Sequence, residues 1–160
     1  MNEPAPNSIT SVFVSKLRQL EPGERAQLKR SAGETLANSR QVMGLFYRLL
    51  PFGVPNYQEE LYFMVATLYP FTEECASGDF GSSLQRARVV EKNSKGLDKR
   101  VEILLDADMG QLSFRLRRSV QFLHSQRVRV NWTGLLDDLL WWSHPDRKVQ
   151  QRWARSYFAK

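Results

Sequence analysis

Apolar residues recur along the first half of the chain at intervals of three and four, which is the spacing of one helix face. Three stripes of this kind occupy residues 13–20, 42–49 and 57–68. Pro51 follows the second stripe and Pro70 follows the third, and proline ends a helix because it lacks a backbone N–H. The pattern predicts three helices in this half.

The second half contains four further stripes of the same spacing, at residues 97–105, 109–123, 132–142 and 149–157. Strict alternation of apolar and polar residues, which indicates a strand, is confined to the short run RVRVNW. Four amphipathic helices with short connections are typical of a small antiparallel bundle. We therefore predict an all-α fold.

Two polar, glycine-containing stretches interrupt the helical pattern. ECASGDFGSS (residues 74–83) is predicted to separate two small helical bundles, and EKNSKG (residues 91–96) is predicted to be a loop. We expect an N-terminal helical subdomain over residues 1–78 and a linker region with one short helix over 79–96. A C-terminal four-helix bundle over 97–160 would complete one compact chain.

The charge changes sign near the first of these stretches. Residues 1–81 carry 7 Lys/Arg against 9 Asp/Glu, whereas residues 82–160 carry 16 against 8. A polyanion is the natural partner of such a surface, because each phosphate contact releases condensed counterions. A basic protein without such a partner is the alternative interpretation.

Basic residues lie beside the apolar stripes of three predicted helices. Arg100 flanks the stripe of the first, and Arg115 and Arg118 flank that of the second. On the third, the basic residues follow the stripe at helical spacing; they are Lys148, Arg152 and Arg155. Arginine predominates among them, and its guanidinium fork suits phosphate. A solvated helix rim, with arginine stems covering the stripe, would give the same pattern.

The sequence offers no recognisable catalytic or cofactor-binding motif. His124, His144 and Cys75 have no partners at metal-ligand or nucleophile spacing, and no glycine-rich phosphate loop is present. We expect no catalytic residue, no metal, no cofactor and no small-molecule substrate. Without a zinc-finger or RNA-recognition signature, contact with phosphates rather than with bases fits best.

The cellular setting also follows from the sequence as an expectation. No apolar run approaches the roughly 20 residues that span a bilayer. The N-terminus lacks a secretory signal pattern, and the single cysteine, Cys75, has no internal disulfide partner. We expect a soluble, cytoplasmic protein without a membrane partner.

The run LLDDLLWW and its neighbours raise the question of whether tryptophan stacks on bases or fills a core. Trp142 and Trp153 fall on apolar stripes and are predicted to lie in the core. Trp141 lies off the stripe and is the one that we retain as a possible contact. Asp137 and Asp138 lie opposite the stripe and are predicted to form a solvated face.

The last helix is predicted to begin near a capping sequence. Ser143 with Asp146 three residues later resembles a capped helix start. This cap would aim Arg147 and Lys148 outward from the first turn. In the preceding segment, Asp108 is predicted to close one helix and start the next.

Five stretches, taken in order, resemble the small subunit of the type I-E CRISPR Cascade complex, the CasB family. They are FYRLLPFG (46–53), GSSLQRAR (81–88), KRVEILLDAD (99–108), QLSFRLRRSV (111–120) and LLDDLLWW (135–142). Residues 1–40 contribute little to the resemblance. One departure is that Asp106 stands where the family pattern has an arginine, so that contact is lost or is supplied by Lys99 or Arg115.

The resemblance implies an all-helical, non-catalytic protein that binds nucleic-acid backbones without sequence specificity and helps to stabilise an R-loop in antiviral defence. The implied partners are the guide crRNA, the target and non-target DNA strands, the backbone subunits, the large subunit and a second copy of the chain, forming a dimer within the complex. By motif position, Arg100 and Arg118 match family arginines, Arg147 and Lys148 match a basic pair, and Arg30 matches an early arginine.

Charge and resemblance together give nine candidate nucleic-acid-binding residues. They are Arg30, Arg86, Lys99, Arg100, Arg115, Arg118, Arg147, Lys148 and Arg152. Two other classes of function stay open from the residues themselves. One is a helical adaptor whose basic flanks bind acidic protein surfaces, and the other is an uncharacterised helical enzyme.

Overall fold

The structure, a computed structural model, describes residues 8–90 and 94–159, with the side chain of Val90 outside the description. Within these ranges the chain forms helices joined by short turns. They are α1 (Ile9–Arg18), α2 (Pro22–Arg30), α3 (Arg40–Leu49), α4 (Glu59–Leu68), α5 (Phe80–Val90), α6 (Ser94–Leu105), α7 (Met109–Ser125), α8 (Trp132–Leu140) and α9 (Lys148–Phe158). Two short 3-10 turns, Asn56–Gln58 and Tyr69–Phe71, flank α4. The all-α prediction is confirmed.

The one candidate strand contributes a single β-type contact. In the described part of the chain, Val130 of the RVRVNW run forms an isolated parallel bridge with Glu74. The backbone N–H of Val130 donates to the Glu73 carbonyl at 3.0 Å, and that of Cys75 donates to the Val130 carbonyl at 2.9 Å. The bridge fastens the segment before α5 to the loop before α8.

Helix α2 has no counterpart among the predicted helices, because it has no apolar stripe. Leu28 is its one buried residue. Its start is defined instead by Pro22 in the first turn and by a reciprocal capping box between Glu21 and Glu24. The Glu24 carboxylate accepts a hydrogen bond from the Glu21 backbone N–H at 3.0 Å.

Helix α5 is the short helix expected within residues 79–96, and it is a packed part of the core. Phe80, Leu84 and Ala87 are buried, and α5 lies along α9. A side chain at Gly81 would place its Cβ 2.3 Å from the Trp153 carbonyl oxygen, so only glycine permits this approach. The buried apolar cluster continues across residue 78 from α1 to α9.

The predicted loop at residues 91–96 is wrong from Ser94 onward, because Ser94 begins α6. Residues 91–93 lie outside the described residues. Helix α6 pairs with α7, and Asp108 closes the connection by accepting a hydrogen bond from the Gln111 backbone N–H at 2.9 Å. This confirms the capping role predicted for Asp108.

The core assignments of Trp142 and Trp153 are confirmed. Their side chains are 2% and 0% exposed, and their ring centroids lie 5.1 Å apart. Each indole N–H is satisfied, since Trp142 donates to the Ala107 carbonyl and Trp153 to the Asp138 carboxylate, both at 2.8 Å. The two rings fix α8 and α9 against each other.

The prediction that Asp137 and Asp138 form a solvated face is wrong. Asp138 is 5% exposed, and its carboxylate accepts hydrogen bonds from Arg152 at 2.6 and 3.1 Å. Asp137 is half-buried and accepts a hydrogen bond from the Thr10 hydroxyl at 2.6 Å. The apolar stripe predicted one buried face for α8, whereas α8 packs against α1, α4 and α9 on several sides.

The predicted capping of α9 by Ser143 is also wrong. Arg147 occupies the N-cap position in the left-handed region, with φ of 52°, and no side chain caps the helix. The Arg147 guanidinium instead donates to the Leu105 carbonyl at the end of α6. One nitrogen of the Arg147 guanidinium is therefore bound by the protein, although Arg147 and Lys148 are both exposed.

Candidate nucleic-acid interface

Three predicted site residues, one on α6 and two on α7, lie over two phenylalanines of α7. The guanidinium carbon of Arg100 lies 5.3 Å from the centroid of the Phe122 ring. Those of Arg115 and Arg118 lie 5.2 and 5.6 Å from the centroid of the Phe114 ring. We call these five residues the α6–α7 arginine patch.

The helical pairing explains how the patch forms. Leu97, Val101 and Leu104 of α6 are buried with Leu112 and Leu116 of α7, so that the polar flanks of both helices face outward. The phenylalanines and the second arginine of α7 are spaced at i, i+4 and i+8, which places them along one face. The adjacent predicted residue on α6, Lys99, is exposed as well.

The cations of the patch have no carboxylate partners among the described residues. None of the three arginines forms an ion pair with a carboxylate in ranges 8–90 and 94–159. A guanidinium held over an aromatic face keeps its N–H edge available. The arrangement therefore offers pre-positioned donors for phosphate oxygens at low ordering cost.

Arg86 belongs to a second basic surface, around the connection between α7 and α8. Its guanidinium donates to the Ser83 hydroxyl at 3.0 Å and to the Arg129 carbonyl at 3.2 Å. A shallow cavity of about 390 Å³ is lined by Arg86, Arg127 and Arg129, and an adjoining one of about 640 Å³ by Arg25, Arg127 and Arg129. We call these four arginines the α7–α8 loop patch.

Sequence reasoning missed Arg127, Arg129 and Arg25, although the RVRVNW run contains two of them. Arg129 forms an ion pair with Glu73 at 3.3 Å, but both side chains are largely exposed, so the pair contributes little to stability. The signal that could have found them is the basic character of the run, which the alternation of apolar and polar residues does not report.

Arg127 stands in a backbone conformation that favours glycine. Its φ is 58°, its N–H donates to the His124 carbonyl at 3.0 Å, and the Val128 N–H donates to the Leu123 carbonyl at 2.9 Å. These bonds form the Schellman ending of α7, in which the left-handed residue is usually glycine. A non-glycine residue there costs about 1 kcal/mol or more. Strained residues of this kind persist where the surrounding structure fixes them, and functional sites are among the places where they are found.

Arg152 differs from the residues of both patches because carboxylates already surround it. It lies 2.6 Å from the Asp138 carboxylate and 3.5 Å from that of Asp79, which in turn accepts a hydrogen bond from the Ser156 hydroxyl at 2.9 Å. Hydrogen bonding to Asp138 is the main cause that raises the pKa of Arg152. We call Arg152, Asp138, Asp79, Trp153 and Ser156 the α8–α9 ion-pair cluster.

Arg88 on α5 also forms an ion pair with a carboxylate of the protein. Its guanidinium lies 2.9 Å from the Asp98 carboxylate, which also accepts a hydrogen bond from the Tyr157 hydroxyl at 2.6 Å. The Arg88 hydrogen bond is the main cause that lowers the pKa of Asp98. The contact joins α5, α6 and α9.

The remaining predicted residues lie in different surroundings. Arg30 is exposed at the end of α2 and lines a separate depression with Arg40. Lys148 is exposed, and Arg147 is held by Leu105. Asp106, where the resemblance implies an arginine in the family pattern, is exposed at the α6–α7 turn.

The described residues contain no arrangement that would hold a metal ion through three or more His, Cys, Asp or Glu side chains. Across ranges 8–90 and 94–159, no helix has the length and apolar character needed to cross a membrane.

Comparisons with known proteins give consistent matches over most of the chain. The family model for CRISPR-associated protein Cse2 matches residues 24–158. The CRISPR-associated protein Cse2 of Thermus thermophilus is 31% identical over 161 residues, covering 87% of this chain and 91% of that protein.

Solved structures give the same result. CasB from Thermus thermophilus matches with a TM-score of 0.83 and 28% identity, covering 96% of this chain and 99% of that one. M. ruber CasB matches with a TM-score of 0.78 and 30% identity, covering 94% and 93%. A chain of a structure described as a CRISPR RNA-guided surveillance complex shares the fold, with a TM-score of 0.79 at 23% identity over 92% and 90%. The chain therefore belongs to the Cse2 family of CRISPR-associated proteins, whose members include these CasB structures.

Proposed function

We propose that this protein is a non-catalytic subunit of a CRISPR RNA-guided surveillance complex, and that it holds nucleic-acid backbones through the α6–α7 arginine patch. The observation that carries the proposal is the set of three guanidiniums over Phe114 and Phe122 without carboxylate partners among the described residues. Similarity to a chain of such a complex supports the setting.

The chemistry of the patch fits backbone contact without base readout. Phosphate oxygens accept from guanidinium N–H groups, while guide pairing supplies sequence specificity in RNA-guided complexes. Forming an R-loop exchanges one duplex for another of similar stability. A few phosphate contacts from this subunit would therefore suffice to stabilise the R-loop and its displaced strand.

The α7–α8 loop patch is proposed as a second contact for the same backbones. Its support is the exposed, strained Arg127 together with Arg129 and Arg86 around adjoining cavities. The proposed macromolecular partners are the guide crRNA, both DNA strands, the backbone and large subunits, and a second copy of this chain. Experiments on the assembled complex would identify which of these partners each patch contacts.

Arg152 is the weakest of the nine site predictions, because its guanidinium is already bound by Asp138 and Asp79. Arg147 is similarly committed to the Leu105 carbonyl. Lys99, Lys148 and Arg30 stay as predicted contributors of exposed positive charge.

The direct test is a salt titration of single-stranded DNA binding by the purified chain. We expect the Arg100→Ala/Arg118→Ala variant to bind more weakly at low salt. Removing two phosphate contacts should reduce the slope of log K against log salt by about 1.4, at roughly 0.7 per contact.

The matched control is Arg40→Ala/Arg48→Ala, which removes the same charge from exposed positions on α3, outside both patches. We expect the control to retain most of the wild-type slope. Equal effects of the two double variants would show that net charge alone determines binding, and the proposed site would then be wrong.

A further inference from the structure

The end of α8 forms a surface that neither arginine patch includes. A shallow cavity of about 350 Å³ is lined by Trp141, Asp137, His144, Asp146 and Val149, among others. We call these five residues the Trp141 cleft.

Trp141 differs from the other three tryptophans of this protein. Its side chain is 63% exposed, whereas Trp132, Trp142 and Trp153 are at most 2% exposed. Its ring centroid lies 5.5 Å from that of His144. An exposed indole beside a cavity is the residue type that most often anchors a macromolecular contact.

Two carboxylates, those of Asp137 and Asp146, line the cleft together with the indole. Asp137 accepts one hydrogen bond, from the Thr10 hydroxyl at 2.6 Å, and it forms no ion pair among the described residues. Burial is the main cause that raises the pKa of Asp137. Asp146 is exposed and lies 3.9 Å from the His144 imidazole. Within residues 8–90 and 94–159, the Asp137 carboxylate therefore has no ion-paired cation.

Two cations, Lys148 and Arg152, also line the cleft, but neither forms an ion pair with Asp137. Arg152 is bound to Asp138 and Asp79, and Lys148 lies exposed at the rim without an ion pair to any described carboxylate. Platforms that stack nucleic-acid bases lie in positively charged grooves. Carboxylates beside Trp141 would repel the phosphates of a stacked nucleotide, which argues against a nucleic-acid contact here.

We infer that the Trp141 cleft receives an arginine side chain from a neighbouring protein subunit. A guanidinium stacks on an indole face, and its fork matches carboxylates in geometry. Asp137 and Asp146 would accept its charge-assisted hydrogen bonds. The inference depends on the proposed function only in placing the chain within a multi-subunit complex.

The first test uses the free protein and a small probe. Titration with N-acetylarginine amide should shift the indole N–H resonance of Trp141, assigned with a Trp141→Phe variant. N-acetylcitrulline amide, which has a similar shape without the charge, should leave it unchanged. The Asp137→Asn/Asp146→Asn variant should lose the arginine response. Equal responses to the two probes, or no response to either, would overturn the inference.

The second test measures incorporation of the chain into the complex reassembled from guide RNA and the other subunits. Trp141→Ala should raise the concentration needed for half-maximal incorporation by about tenfold, the effect of losing an aromatic anchor. Tyr57→Ala, which removes another exposed aromatic side chain, is the control and should behave as wild type.

The remaining outcomes separate other occupants of the cleft. Wild-type incorporation by Trp141→Ala would overturn the inference. Weakened single-stranded DNA binding by this variant would assign the cleft to nucleic acid, and altered self-association would assign it to a second copy of the chain. If the wild-type chain itself failed to enter the complex, the proposed function would fail, while the probe titration would still decide the chemistry of the cleft.

Discussion

The α6–α7 arginine patch and the α8–α9 ion-pair cluster contain the same residue type in opposite settings. Arg100 and Arg118 extend over phenylalanine rings at the surface without a carboxylate partner among the described residues. Arg152 lies between two buried carboxylates. In sequence, both sets flank apolar stripes. Only the three-dimensional structure distinguishes a cation available to a ligand from a cation required by the fold.

The largest expected effect concerns stability in the ion-pair cluster. Arg152→Ala leaves Asp138 and Asp79 buried without a cation, which should lower the free energy of unfolding by about 3 kcal/mol. Urea denaturation followed by tryptophan fluorescence measures this change. Arg155→Ala, at an exposed position on the same helix, is the control and should change stability by less than about 0.5 kcal/mol. A small effect of Arg152→Ala would show that the fold does not require this cation, and the α8–α9 ion-pair cluster would then not differ from the α6–α7 arginine patch in this respect.

The next effect separates strain from charge at Arg127. Arg127→Gly removes the cost of the left-handed conformation but adds chain entropy to the unfolded state, so the net gain in stability should be about 0.5 kcal/mol. Arg127→Ala removes the charge and keeps most of the strain. Both variants should bind single-stranded DNA more weakly, and Arg127→Gly alone should unfold at higher denaturant concentration. Wild-type DNA affinity in both would exclude Arg127 from the interface.

The smallest effect is a pH dependence at Asp137. Its raised pKa means that the folded state favours the protonated carboxyl, so stability decreases as pH rises through that pKa. Asp137→Asn keeps an acceptor for the Thr10 hydroxyl and removes this dependence. Thermal unfolding should show the variant gaining on wild type between acidic and neutral pH. A difference that stays constant with pH would show that folding does not shift the pKa of Asp137.

The sequence predicts the helices that have apolar stripes, because periodicity reports which face is buried. It does not reveal α2, whose stability depends on Pro22, the capping box and one leucine rather than on a stripe. Helix α5 was expected, but its close approach to α9 depends on Gly81 lying against Trp153. A packing partner more than 70 residues away leaves no periodic signal.

The candidate site was likewise predictable where it depends on helix faces, and not where it depends on residues distant in sequence. The three arginines of the α6–α7 arginine patch were all among the predicted site residues, because the apolar stripes of α6 and α7 show which flanks face outward. Their role in binding stays a prediction. In the sequence, Arg152 is indistinguishable from the arginines of the patch. Its carboxylate partners lie 14 and 73 residues away, so the local pattern does not reveal them. Arg127 was not predicted because the basic character of the RVRVNW run was not used, and its left-handed backbone angle leaves no signal in sequence periodicity.

We propose that the α6–α7 arginine patch stabilises the R-loop. The most direct measurement is the lifetime of the R-loop in the reassembled complex, with wild type, Arg100→Ala/Arg118→Ala or Arg40→Ala/Arg48→Ala as the small subunit. The patch variant should enter the complex normally and shorten the lifetime by about tenfold or more, while the control variant leaves it unchanged. A wild-type lifetime for a fully incorporated patch variant would contradict the claim.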